Sequence, residues 1–206
     1  MYVPRPFTEH DRDTLVAHIR ARAFATLIAG GEIAHLPLVI DDGGTTLRGH
    51  VARGNPIVER LRRGEPMTAV FLGPDAYVSP RWYATPTEQV PTWNYVAVHA
   101  HGRGRALDRA ETRAALEDLV AIHEPDAEWR LERLDPAFVA SLLEGIVGFA
   151  VDVERLEGKA KLSQNRSEED RARVVAALRA RGRDDDRRMA ELMSMGAPGA
   201  GATRRP

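Results

Sequence analysis

Along the first half of the chain, apolar residues fall into short runs separated by turn residues, the pattern of strands. Phe24–Ala29 is apolar, Gly30-Gly31 is a turn signal and Ile33–Ile40 is apolar again. Asp41–Gly44 is a second turn, and Thr46–Ala52 resumes as a strand. Connections this short predict a three-strand antiparallel meander, because parallel strands need long crossovers. Met67–Leu72 and Ala76–Ser79 read as two strands around a Gly73-Pro74-Asp75 turn. Trp93–Ala106 is a long strand that puts Trp93, Tyr95, Ala97, His99 and His101 on one face. Ile146–Leu156 alternates again and is the last predicted strand.

Helical periodicity occupies the intervals. Thr8, with Asp11 three residues on, predicts a capped helix to about Arg22. Asn55-Pro56 predicts a short helix through Arg63 that ends at Gly64. Ala110–His123 and a segment capped by Asp135-Pro136, running to Glu144, predict two more. Ser167 with Asp170 opens a further helix, and Asp184–Asp186 opens the final one to about Met195. About seven strands with peripheral helices indicate a small, mainly β antiparallel barrel. Residues 1–195 are expected to form one domain, with a helical insertion at 108–145 and C-terminal helices at 167–195. Residues 196–206, rich in Gly, Ala and Pro, are expected to be a disordered tail.

Composition narrows the chemistry. The chain has 206 residues and a net charge of −1, so no global pull toward nucleic acid or membrane is visible. There is no cysteine, which excludes disulfides and thiolate metal sites. No apolar run reaches membrane-spanning length and no signal core opens the chain, so a cytoplasmic location is expected. Neither a Gly-x-Gly-x-x-Gly nor a Walker-type loop is present, and no Gly-x-Ser-x-Gly. The pair His99 and His101 has no third ligand legible nearby and reads as a polar strand face, with no metal site.

Two stretches remain. Lys159 and Lys161 are the only lysines in the chain, against 27 arginines, and they sit in Gly158–Arg166 with Ser163 and Gln164. Lysine supplies a compact charge where arginine supplies a planar fork. In Gly49–Pro56, a strand delivers His50 and Arg53 toward the helix capped by Asn55, a setting suited to a phosphate.

The chain resembles the PaiB-like family of FMN-binding negative transcriptional regulators along almost its whole length. The segments that carry the resemblance are Met1–Phe7, His35–Leu38, Gly49–Pro56, Phe71–Tyr83, Pro91–Val98, Ile146–Phe149 and Gly158–Arg166. It implies a split β-barrel like that of the pyridoxamine-phosphate oxidases, and a homodimer with FMN at the subunit interface. The ring would lie along Ala34, His35 and Leu36, and the phosphate near His50, Val51, Arg53 and Asn55. Lys159, Lys161, Ser163 and Gln164 would serve the ring, the phosphate or the dimer contact. A role as redox or ligand sensor in transcription is the main expectation. An FMN-dependent oxidoreductase is the alternative, and a haem-binding barrel using His35, His50, His99 or His101 is the second. DNA contact is supported by neither charge nor motif; it would fall to the basic 155–206 segment, which carries a net charge of +5.

Overall fold

The computed structural model describes residues 1–126 and 128–195; the expected tail at 196–206 lies outside the described residues. The strands are β1 (Thr8–Glu9), β2 (Phe24–Ala29), β3 (Glu32–Pro37), β4 (Val39–Ile40), β5 (Thr46–Ala52), β6 (Pro66–Val78), β7 (Thr92–Ala106) and β8 (Ile146–Lys161). The helices are α1 (Arg12–Ala21), α2 (Ile57–Arg62), α3 (Arg109–His123), α4 (Pro136–Glu144), α5 (Glu168–Arg181) and α6 (Asp184–Met195). The strands form one sheet in the order β3-β2-β6-β7-β8-β5-β4, with β1 paired to β8.

The chain divides into two compact units. Among the described residues, one comprises 1–15, 72–98 and 157–195; the other comprises 16–71, 99–126 and 128–156. The core of the first unit is built from Ala76, Val78 and Tyr83 on and after β6, Ala160 of β8 and Leu162 just after it, and Val174, Leu178, Met189, Ala190 and Met193 from α5 and α6. Alternation explains it: every second residue of a strand faces the helices. Ile19, Leu27, Leu47, Ile57, Leu61, Phe71 and Phe149 are among the fully buried side chains of the second unit.

Four local expectations change. The first helix does not start at Thr8, which pairs with Lys159 in β1; Asp11 caps α1 instead by accepting from the Thr14 N–H at 2.9 Å. The predicted meander breaks at Leu38. β3 pairs with β2, β4 pairs with β5, and β3 and β4 end at opposite ends of the strand order. Gly73-Pro74-Asp75 is not a turn but part of the 13-residue β6. The inward positions are 67, 69 and 71 before it, and 74, 76 and 78 after it. A one-residue change of phase in a continuous strand leaves Leu72 exposed and mimics a turn in the sequence. Finally, β8 runs on through Gly158–Lys161, so the lysines lie on a strand and not in a loop.

The helix caps of α4 and α5 follow the sequence closely, and α3 gains a cap that was not singled out. Asp108 and Glu111 form a reciprocal capping box, Asp135 accepts from Ala137 and Phe138, and Ser167 accepts from Asp170 at 3.1 Å. Thr112 of α3 packs directly on Gly148 of β8, where an added Cβ would meet Thr112 Oγ1 at 2.3 Å. Gly148→Ala is expected to lower stability by about 1–3 kcal/mol, as overpacking does. Urea unfolding measures this, and an unchanged midpoint would show that α3 yields freely.

Candidate functional site

In the second unit, β3 alternates cleanly. Ala34 and Leu36 are buried, and His35 is exposed with its ring Nδ1 3.0 Å from Thr26 Oγ1. Leu38 donates its N–H to Ala23 O at 2.9 Å, and the β2–β3 register pairs Phe24 with Pro37 and Thr26 with His35. In an antiparallel ladder, hydrogen-bonded and open pairs alternate. The main-chain N–H and C=O of His35 therefore point away from β2, toward the end of the strand order. Pro37, which has no N–H to give, takes the same parity. An edge of this kind offers fixed donors and acceptors to a planar heterocycle.

β5 brings His50 opposite Gly148 and Val51 opposite Val147. Val51 is buried. Burial pushes the His50 imidazole below its ordinary pKa. Asn55 caps α2, its Oδ1 accepting from the Ile57 N–H at 3.0 Å. Arg53 is exposed but anchored. Its Nε donates to Glu144 O, its Nη2 to Ile146 O at 3.1 Å, and its backbone N–H to Gly145 O at 2.9 Å. These bonds fix the guanidinium at a cleft of about 320 Å³ that Arg62 and Arg109 also line, with Thr112 and Glu144. Asp108 also lines it, Arg62 pairs with Glu59 at 2.6 Å and Arg109 lies 3.9 Å from Glu144, so a phosphate there would share two guanidinium groups with carboxylates and meet Arg53 without one. Arg62 and Arg109 carried no sequence signal, because arginine is common throughout this chain and only folding brings these two beside Arg53.

In the first unit, the Gly158–Arg166 residues take several roles. Lys159 Nζ donates to Tyr2 O at 3.2 Å and lies 4.9 Å from the Tyr95 ring centre. Lys161 Nζ donates to Thr92 Oγ1. Burial, then the nearby charges of Lys159 and Arg166, push Lys161 below the ordinary lysine pKa. Ser163 is buried with φ at +61°, and its hydroxyl exchanges hydrogen bonds with the fully buried Asn94 of β7. The Gln164 side chain accepts from the Leu162 N–H at 2.7 Å and donates to Ala160 O. Ser163 and Gln164 thus spend their side chains on the turn that follows β8. Asn94, the partner that locks this turn, was not singled out in the sequence because it lies 69 positions from Ser163.

Solved structures of similar fold include two with substantial coverage. The flavocytochrome Anf3 of Azotobacter vinelandii aligns with a TM-score of 0.63 at 19% identity, covering 83% of this chain and 78% of that one. An FAD and haem binding protein of Mycobacterium smegmatis aligns at 0.58 and 19% identity, covering 80% and 78%. The fold is a split barrel; among the described residues it is a mostly antiparallel eight-stranded sheet with six helices.

The chain belongs to the family described as "Putative FMN-binding domain", whose model matches residues 1–155, and FMN is the cofactor of that domain. It is 35% identical to the Bacillus subtilis protease synthase and sporulation protein PAI 2, over 94% of this chain and 96% of that protein. An uncharacterized protein of Emericella nidulans is 28% identical over 78% of this chain and 80% of its own length. The residue set fits the cofactor: anchored cations for a phosphate and a strand edge for a ring. Among the described residues, no helix is long and apolar enough to cross a membrane.

Proposed function

We propose that this protein binds FMN through the second unit and works as a homodimeric, cytoplasmic regulator that senses redox state or a ligand. The observation that carries the cofactor assignment is the cleft of Arg53, Arg62 and Arg109 in a chain of the FMN-binding family. The FMN phosphate is assigned to that cleft together with His50 and Asn55, and the ring to the edge of Ala34, His35 and Leu36. The regulatory part rests on the Bacillus subtilis relative, whose name places it in protease synthesis and sporulation. When bound, FMN supplies reversible electron transfer; the chain's own residues supply binding and orientation. Residues 1–195 are assigned to one functional domain. The homodimer reading is supported by Phe24 at 69% and Ile33 at 62% exposure, two large apolar side chains on one face of the β2–β3 pair.

Titration with FMN tests the cofactor assignment. A hundredfold excess over Kd should stabilise the fold by about 2.7 kcal/mol. For a chain of this size, that raises Tm by roughly 5–10 °C. Arg53→Ala and Arg109→Ala should each weaken FMN binding about tenfold or more. A colourless protein whose melting is unmoved by FMN sinks the reading. Sedimentation of the holoprotein as a monomer would remove the dimer alone.

A further inference from the structure

The first unit carries a surface that the FMN reading does not use. Its part of the sheet is β6-β7-β8, with β1 beside β8. The helices α5 and α6 cover one face through Ala160, Leu162, Val174, Leu178, Met189 and Met193. Alternation sends Tyr77 of β6, Trp93 and Tyr95 of β7, and Lys159 and Lys161 of β8 to the opposite face. That face holds three aromatic rings and both lysines of the chain. A sheet backed by two helices, with rings on its open face, is the arrangement by which RNA-recognition sheets stack bases.

We propose that this open face is a nucleotide site, with a planar base stacked on Trp93 and its phosphate held by Lys159 and Lys161. Trp93 is 52% exposed, though large apolar rings are normally covered. Tyr77 braces it edge-on, at 5.9 Å between ring centres and 73° between planes. A cleft of about 300 Å³ lies against Trp93 and Tyr77, room for one base. Its far wall is polar. Arg181 pairs there with Asp186, whose carboxylate also takes the Arg183 N–H at 3.3 Å, and Asp75, Asp184 and Asp185 complete the wall. Lys159 is poised over Tyr95, and Lys161 is tied to Thr92, the residue preceding Trp93. No carboxylate pairs with either lysine among the described residues, and Arg166 adds a third charge close to Lys161. Crowded cations without an acid are relieved by an anion. One exposed ring beside one cleft favours a single nucleotide over an extended strand.

The test uses the full-length, FMN-loaded protein and calorimetric titration with AMP, adenosine and a short single-stranded oligothymidylate. AMP should bind, and Trp93→Ala should weaken it on the order of tenfold, the scale of one base stack. Lys159→Ala/Lys161→Ala should weaken AMP strongly and adenosine little, and Trp93→Ala should leave FMN content unchanged. Comparable AMP and oligonucleotide affinities mark a free nucleotide as the ligand. Much tighter oligonucleotide binding, with the same dependence on Trp93, marks single-stranded nucleic acid as the source of the same chemistry. Binding of neither, or binding that ignores Trp93 and the lysines, overturns the site. So does a lysine variant that loses FMN while keeping AMP, which would hand the lysines to the cofactor. Melting curves of each variant report folding separately, and Lys161→Arg should retain much of the AMP binding through its charge.

Discussion

Gly102→Ala is expected to cost about 3 kcal/mol, at the upper end of what overpacking does. Gly102 sits in β7, and a Cβ there would lie 2.0 Å from Asp152 O and 2.8 Å from Asp152 C. Those atoms are the backbone of β8, not the end of a flexible side chain. β8 has no room to retreat, because β5 holds its other side, with Thr46 opposite Asp152 and Leu47 opposite Val151. The clash therefore opens a ladder in the middle of the sheet. At roughly 2–4 °C per kcal/mol for a chain of this size, Tm should fall by about 6–12 °C. Gly54→Ala is the control: no atom lies within 4 Å of its Cβ position, so its Tm should hardly move. Equal melting of the two variants would show that β7 and β8 part at little cost.

Arg181→Ala should have a similar effect for a different reason. Arg181 Nε donates to Asp186 Oδ2 at 2.7 Å and its Nη2 donates to Oδ1, a bidentate pair at the α5–α6 junction. Asp186 is 2% exposed. Removing the guanidinium strands a buried carboxylate with one remaining donor, the Arg183 N–H at 3.3 Å. Breaking such pairs costs about 3–5 kcal/mol, and the low end applies because the arginine side opens to solvent. Arg181→Lys should recover only part of the loss, since lysine lacks the fork. The pH dependence follows from the same contact. Hydrogen bonding to Arg181 holds the Asp186 carboxyl below its ordinary pKa. The unfolded chain takes up the proton first as pH falls. The contribution is therefore complete above the unfolded value of about 3.9 and is lost as pH drops through the depressed folded value. Acid-dependent unfolding of both proteins should show a stability gap at neutral pH that closes below about pH 4. A gap of constant size would rule out the ion pair as its cause.

Much of the fold was legible because its signals are local. Asp135-Pro136 and Ser167 with Asp170 cap their helices as read, since capping depends on residues two or three positions away. Phe24–Ala29 and Thr46–Ala52 have the strand limits that their bounding turns indicated. Misreadings arose where a local signal met a long-range partner. Pro74 looked like a turn, yet β6 carries it inward at a change of phase. Thr8 looked like a cap, yet it pairs with Lys159 far along the chain. The candidate site divides in the same way. His50, Arg53 and Asn55 were visible as a strand leading into a capped helix, while Arg62 and Arg109 become their companions only through the cleft.

Gly158–Arg166 shows where the boundary falls. Composition alone determined that this stretch is special, because the chain's only lysines stand there among 27 arginines. Local patterning also determined the helix caps and the strand-rich class, since both depend on near neighbours. Only the tertiary structure decided that Lys159 and Lys161 share a strand face with Trp93 and Tyr95, while Ser163 and Gln164 turn inward to lock the end of β8. The physical reason is that a side chain's role depends on which face it occupies and which strand lies beside it, and strand pairing joins residues that the sequence keeps far apart.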